Sequence, residues 1–272
     1  MTSLENYRLD RKLRLKLDNL SDEDKVRAGI EYNNKKQTIK EIVTYYGLEN
    51  HPLLRTLSLE KFATNPTDAY CFAVDVIKGR WPEAEHIIKT DAESCYFYAK
   101  YAIKGRWIDG EDAIKTDPYH AIIYAKNVIK GRWEEAEDII KTNPRYAYEY
   151  AREIIKGRWE EAEDLIKTSA VDAHNYAKNV IKGRWEEAED IIKTNPEAAC
   201  YYACDVIKGR WEEAEDIIKT NPEAACCYAC DVIKDRWPEA EDIIKTSAVP
   251  ACEYAENVIK GRWPEGEDAI RY

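Results

Sequence analysis

The sequence predicts an all-α fold, an α-solenoid of eight 26-residue helical hairpins with an N-terminal helical cap. The first observation is that the tryptophans lie 26 residues apart, at Trp81, Trp107, Trp133, Trp159, Trp185, Trp211, Trp237 and Trp263. The second is that each 26-residue segment carries the apolar spacing of two short helices. A fixed period of this length is typical of stacked arrays. Because two short helices cannot bury their apolar faces alone, we expect consecutive hairpins to pack against one another.

The repeats fill residues 65–272, and the first 64 residues lack the tryptophan period. Repeats begin at residues 65, 91, 117, 143, 169, 195, 221 and 247. We interpret residues 1–64 as an N-terminal helical cap region, because a solenoid needs the apolar face of its first hairpin covered. Residues 57–64 resemble a degenerate second helix that leads into the first repeat.

Each repeat begins with Asn, Asp or Ser, whose side chains cap the free amides of a helix start, and proline follows in five repeats. In repeat six the first helix is predicted from Pro196 to Lys208. We expect Gly209 to end this helix in the left-handed conformation. Asp235 replaces the glycine in repeat seven, where aspartate would adopt that conformation at some cost. The second helix of repeat six is predicted from Glu212 to Lys219.

Composition narrows the class of protein. The formal net charge of −11 argues against non-specific nucleic-acid binding, which depends on a basic surface. The apolar runs are too short to span a bilayer, and the amino terminus lacks the apolar core of a signal peptide. We therefore expect a cytoplasmic protein without membrane association. The eight cysteines do not form a disulfide framework, and we interpret them as free thiols.

No active site is recognisable in the sequence. His51, His86, His120 and His174 occupy different repeat positions, without a fixed nucleophile or carboxylate partner. Phosphate-binding loops and metal-binding helix motifs are also missing. We expect no enzymatic activity, no cofactor and no metal.

Four cysteines give the one metal pattern that we considered. Cys200, Cys204, Cys226 and Cys230 form two pairs with i, i+4 spacing, and four thiolates can bind zinc. The spacing differs from the Cys-x2-Cys of structural zinc sites. Duplication of the repeat accounts for the recurrence without a metal.

Comparison of the eight copies separates fixed positions from variable ones. The fixed positions of the first helix, such as Ala199, Tyr202 and Val206, share one arc of a helical wheel, and the opposite arc varies. Solenoids commonly bind partners on such a varied surface. The candidate partner-binding residues are Tyr70, Tyr96, Phe97, Tyr101, Tyr148, Arg152, His174, Lys178 and Tyr201.

These candidates support the hypothesis of a non-enzymatic module that captures a protein partner. We expect Tyr96, Phe97, Tyr101 and Tyr148 to be exposed, and tyrosine is enriched at interfaces. The alternative interpretation is that the positions vary because nothing constrains them, or because some of the aromatic rings pack on a neighbouring repeat.

A nucleic-acid role is the alternative function. One Lys and one Arg recur in every repeat, from Lys78 and Arg80 to Lys260 and Arg262, and could form a basic rail. The structural interpretation is that the lysine complements the helix dipole and the arginine pairs with a fixed glutamate such as Glu85.

Two further patterns belong to that alternative. Residues 38–48 resemble the first helix and turn of a helix-turn-helix, but His51 and Pro52 fall where the recognition helix should begin, so the hypothesis covers residues 38–56. The acidic second helices, for example Glu212 to Asp216, could instead imitate the phosphates of DNA or be a solvated face.

The motif Val-Ile-Lys-Gly-Arg-Trp-Pro-Glu-Ala-Glu, from Val76 to Glu85, resembles tandem repeats of uncharacterised proteins predicted in tailed-phage and giant-virus genomes. The resemblance covers residues 65–272. It implies a viral protein in the cytoplasm of a host cell and a host partner such as a defence component. It implies no activity.

Overall fold

The computed structural model describes residues 11–31 and 36–270, and these residues contain helices but no strands. Four helices precede the repeats: α1 (Arg11–Leu17), α2 (Asp22–Glu31), α3 (Lys36–Tyr46) and α4 (Pro52–Phe62). Each repeat then forms a helical hairpin. The prediction of an all-α repeat solenoid is confirmed.

The first helix of each repeat is two turns of α-helix. Its bounds are Pro66–Phe72, Ala92–Phe97, Pro118–Tyr124, Pro144–Tyr150, Ala170–Tyr176, Pro196–Tyr202, Pro222–Tyr228 and Ala248–Tyr254. We count positions from the first residue of a repeat, so Asn65 is position one. In seven repeats the position-one side chain accepts a hydrogen bond from the backbone N–H of position three or four, as predicted. Ser247 is the exception, because its hydroxyl contacts Glu223 of the preceding repeat instead.

Every first helix continues into a π-helical turn, which the sequence analysis did not predict. These turns are Ala73–Ile77, Tyr98–Ile103, Ala125–Ile129, Ala151–Ile155, Ala177–Ile181, Ala203–Ile207, Ala229–Ile233 and Ala255–Ile259. In repeat six the backbone N–H groups of Lys208 and Gly209 both donate to the carbonyl of Ala203, at 2.7 and 3.3 Å. The helix therefore widens in its last turn.

The left-handed residue after this turn is lysine and not glycine. All eight position-14 lysines have φ between 55 and 61°, whereas the glycines at position 15 have no positive φ. The prediction that Gly209 adopts the left-handed conformation was wrong, because the extra residue of the π turn places Lys208 there. Asp235 accordingly needs no left-handed backbone.

The second helix is short. It is a continuous α-helix in repeats two, four and seven and begins with a 3-10 turn in the other five. The bounds are Pro82–Ala84 with Glu85–Ile88, Ile108–Ile114, Glu134–Ala136 with Glu137–Ile140, Glu160–Ile166, Glu186–Ala188 with Glu189–Ile192, Glu212–Ala214 with Glu215–Ile218, Pro238–Ile244, and Pro264–Gly266 with Glu267–Ile270. Each begins directly after its tryptophan, which is at most 3% exposed in every repeat.

The described chain forms two compact units, residues 1–139 and 140–272. Within each unit, consecutive first helices contact one another, and so do consecutive π turns. This is the neighbour-to-neighbour packing of a stacked array.

A repeated polar cluster joins neighbouring repeats within each unit. In repeat six, the hydroxyl of Tyr228 from the next repeat accepts a hydrogen bond from the Trp211 backbone N–H at 2.7 Å and donates to Glu215 at 3.1 Å. Arg210 completes the cluster with two hydrogen bonds to Glu215. The same contacts recur at Tyr98, Tyr124, Tyr176, Tyr202 and Tyr254.

Helices α3 and α4 lie against the first repeat. The Trp81 indole donates to the carbonyl of Arg55 in α4 at 3.0 Å, and Lys78 pairs with Glu49 at 2.7 Å. Arg55 lies 26 residues before Trp81, which is one repeat period. This is the packing expected of a cap, although the domain boundary at residue 64 stays a prediction.

Candidate functional site

The nine candidate residues divide into a buried group and an exposed group. Tyr96, Tyr148 and His174 are 3, 2 and 6% exposed. The prediction that Tyr96 and Tyr148 are exposed was therefore wrong. All three occupy position six, which faces the first helix of the next repeat.

Position six is paired with position 11 of the following repeat. The Tyr96 and Tyr148 hydroxyls accept hydrogen bonds from the Asn127 and Asn179 side chains, at 3.0 and 2.9 Å. His174 Nε2 lies 3.3 Å from Asp205 Oδ2 in the same arrangement. At these three junctions a buried side chain at position six is matched by a polar partner in the next repeat. Tyr70, which is also at position six, stacks on Phe97 instead.

The exposed group begins with an aromatic stack in the first unit. The ring centroids of Tyr70 and Phe97 are 5.6 Å apart, and those of Phe97 and Tyr101 are 6.0 Å apart, with interplanar angles of 25 and 14°. Tyr101 is 47% exposed, while Tyr70 and Phe97 are half-buried. Lys100 lies over the rings of Tyr96 and Tyr101, 5.2 and 5.1 Å from their centroids. We call Tyr70, Phe97 and Tyr101 the aromatic stack.

Arg152, Lys178 and Tyr201 are exposed in the second unit. The Arg152 guanidinium lies over the Tyr148 ring, 5.3 Å from its centroid, and donates to the Tyr148 hydroxyl at 2.9 Å. Lys178 pairs with Asp205 at 2.8 Å. Tyr201 is 50% exposed, with its ring stacked beside His174. The two basic groups are therefore held on the surface by a buried tyrosine and a half-buried aspartate.

Sequence reasoning missed the exposed residues at position three. Tyr119 and Val171 are 50 and 47% exposed, and Val249 is 64% exposed. They lie one helical turn before position seven, the position of Phe97 and Tyr201 in their own repeats. The signal was available, because position three carries five different residue types in the eight repeats.

In the proposed basic rail, the arginines are paired with glutamates and the lysines are exposed. Every arginine makes two hydrogen bonds to the glutamate five residues later, with distances of 2.5–3.0 Å in the first seven repeats. Arg262 and Glu267 form the same pair in repeat eight. The position-14 lysines are all exposed. The arginines thus act within the repeat junctions, as their structural interpretation predicts.

The segment proposed as a helix-turn-helix does contain two helices joined by a turn. Gly47 adopts φ 69° after α3, and α4 begins at Pro52. Helix α4 buries Leu54 and Phe62 and contacts α2. A recognition helix needs basic side chains exposed at its start. The exposed residues in the first turns of α4 are Pro52 and Thr56, which are uncharged.

The cysteines group differently from the sequence hypothesis. Cys200 and Cys204 are joined by Cys227, and the three Sγ atoms lie within 4.8 Å of one another. Cys226 and Cys230 form a separate pair with a sulfur–sulfur distance of 4.0 Å. The reason is that position seven of repeat seven, and not position six, faces the cysteines of repeat six.

Comparisons with protein-family models, curated proteins and solved structures find no match to the chain. The tandem repeat is nevertheless visible directly in the structure. Among the helices of the described residues, none combines the length and apolar character needed to cross a bilayer.

Proposed function

We propose that this protein is a non-enzymatic binding module that captures a protein partner on the exposed side of its first helices. The aromatic stack carries the proposal. Three rings lie together at the surface, and the most exposed of them, Tyr101, keeps nearly half of its surface in contact with water. Aromatic side chains of this kind supply much of the binding energy of protein interfaces.

The chemistry around the stack indicates the partner. Lys100 beside Tyr101 adds positive charge, and position ten of the next repeat is also basic, at Lys126, although the repeats are acidic as a whole. Rings and cations on one face suit a partner segment that carries carboxylates and apolar side chains. The buried ring of Tyr96 packs against Phe97, with ring centroids 5.0 Å apart, and so supports this surface.

The test is capture of partners by the wild-type protein and by two matched variants. Phe97→Ala with Tyr101→Ala removes the half-buried and the exposed ring of the stack. Ile108→Ala is the control, since Ile108 is 73% exposed but lies on a second helix. We expect the double variant to lose the captured protein and Ile108→Ala to retain it. Equal capture by all three proteins would contradict the proposal.

We infer that the partner is a host defence protein in the cytoplasm of a virus-infected cell. This inference rests only on the resemblance of the repeat motif. Capture from a host lysate, followed by mass spectrometry of the band that depends on Tyr101, tests this assignment. A captured partner that is encoded in the same genome as this protein would contradict the assignment to a host protein.

Imitation of DNA is a second candidate function, favoured by one observation. In the second unit, the aspartates at position 22 of repeats four to seven have side chains that are 94–99% exposed, and each pairs with the lysine three residues later at 2.6–3.1 Å. Such groups can present a regular row of charge. Binding to a DNA-binding protein should then compete with duplex DNA and weaken steeply with salt. Capture that depends on Tyr101 and does not compete with duplex DNA argues for the first proposal.

A further inference from the structure

Three thiols meet at the junction of repeats six and seven. Cys200 and Cys204 lie one turn apart on the first helix of repeat six and its π turn, and Cys227 lies on the first helix of repeat seven. Their Sγ atoms all lie within 4.8 Å of one another. Cys200 is 1% exposed, and the other two are half-buried. We call these residues the thiol triad.

We propose that the thiol triad is a binding site for a soft metal ion of the Zn²⁺ class. Zinc–sulfur bonds of about 2.3 Å in a tetrahedral site place the sulfur atoms about 3.8 Å apart. The triad is already within about 1 Å of that spacing, so small rotations of the three side chains are sufficient. Thiolates prefer soft ions over Mg²⁺ or Ca²⁺.

Acidic groups surround the triad. The Cys227 thiol donates to Asp231 Oδ2 at 3.5 Å, so a carboxylate borders the triad. Glu197 and Glu223 line a groove of about 270 Å³ that also contacts Cys200 and Cys227. The groove gives a cation a path from solvent, and its carboxylates attract positive charge.

Metal binding requires the thiols to lose their protons. A bound cation favours ionisation of all three thiols, and their protons pass to solvent. Binding should therefore strengthen as pH rises.

The neighbouring pair is a natural control. The Cys226 thiol donates to the Pro250 carbonyl at 3.3 Å and lies 4.0 Å from the Cys230 sulfur. Two sulfurs without a third give a weaker site. Cys230→Ser should therefore leave the metal site unchanged, and so should Cys252→Ser, which alters an exposed cysteine.

The experiment titrates the reduced, metal-free full-length protein with Cd²⁺ and with Co²⁺ as spectroscopic probes, and then with Zn²⁺ in competition. We expect a sulfur-to-cadmium charge-transfer band that saturates at one ion per chain, and intense tetrahedral cobalt bands that Zn²⁺ removes. Loss of an outer-shell partner already costs about 10–100-fold in metal affinity, so Cys204→Ser or Cys227→Ser should cost at least that.

Three results would overturn the proposal: no charge-transfer band, an unchanged affinity in both triad variants, or an equal loss in Cys230→Ser. A Cys200–Cys227 disulfide in the protein purified under reducing conditions would also do so, since it leaves one thiol. Circular dichroism and thermal unfolding of each variant must match the wild type, and Cys227→Ala is a second variant if the serine disturbs folding.

Discussion

His174 shows how a single variable residue is fitted to its surroundings. Its ring is buried between two first helices, with Asp205 on one side and the exposed ring of Tyr201 stacked beside it. Burial lowers the pKa of His174, although the hydrogen bond and the charge of Asp205 act in the opposite direction, and Lys178 adds to the lowering. The imidazole is therefore neutral in the folded protein at neutral pH.

This lowered pKa predicts a pH-dependent stability. The unfolded chain, with a histidine pKa of about 6.5, binds the proton more tightly than the folded chain. The free energy of unfolding should therefore decrease as pH falls from about 7 to about 5, the range in which histidine titrates. Chemical denaturation across that range measures it.

A matched variant isolates the histidine. The double change His174→Tyr with Asp205→Asn copies the Tyr148–Asn179 pair of the preceding junction, so the packing is kept and the titrating group is removed. Its stability should vary less with pH than that of the wild type. Identical pH slopes for the two proteins would rule out a contribution from His174.

At the scale of the helix, the end of each first helix combines a π turn with a left-handed lysine. An L-residue in this conformation is strained, because its Cβ approaches the following carbonyl oxygen. Lys208 has φ 59°, and the adjacent Gly209 has open space where a Cβ would lie. The left-handed residue, at which glycine would be unstrained, is therefore one position earlier than the sequence indicates.

Two substitutions distinguish these positions. Lys208→Gly should stabilise the protein by about 1 kcal/mol, since it relieves the left-handed strain. Gly209→Ala should be neutral or stabilising by up to about 1 kcal/mol, because it restricts the unfolded chain. Urea denaturation gives both values. Destabilisation by Gly209→Ala would show that position 15 is the left-handed residue after all.

At the scale of the whole molecule, stability within each unit depends on contacts between neighbouring repeats. Tyr202 is fully buried, and its hydroxyl joins Trp185 to Glu189 at the junction of repeats five and six. Burial first, then the charge of Glu189, raises the pKa of Tyr202 to about 12, so the hydroxyl stays protonated. It can therefore donate and accept at once at any physiological pH.

Removal of this hydroxyl should weaken one junction. Tyr202→Phe leaves the buried Trp185 N–H without its acceptor, which should cost about 1–3 kcal/mol. Tyr201→Phe is the control, because Tyr201 is half exposed and should change stability by less than about 0.5 kcal/mol. Urea unfolding followed by tryptophan fluorescence compares them. Equal stability of the two variants would mean that the cluster does not hold the repeats together.

Much of the fold follows from local patterns. The tryptophan period gives the number and length of the repeats, and the Asn, Asp and Ser residues at position one mark where seven of the eight first helices are capped. These signals are readable because a cap or an apolar stripe depends on residues only a few positions apart.

The candidate surface was predictable only in part. Tyr101 and Tyr201 are exposed as expected, Phe97 is half-buried, and Tyr96 and Tyr148 are buried. A helical wheel ranks the faces of one helix and contains no information on the helix that begins 26 residues later. The wheel also assumes that each residue turns the helix by 100°. The π turn after Tyr202 has more residues per turn, so each residue turns it by a smaller angle.

By itself, the sequence determined that this chain is a tandem array of helical hairpins, because that outcome depends on the period of its apolar residues. Only the tertiary structure decided which variable side chains pair across a junction, as in Tyr96 with Asn127, and which sulfurs meet, as in Cys200 with Cys227. The physical reason is that these contacts join residues 27 or 31 positions apart, and their geometry is set by how one repeat is rotated against the next.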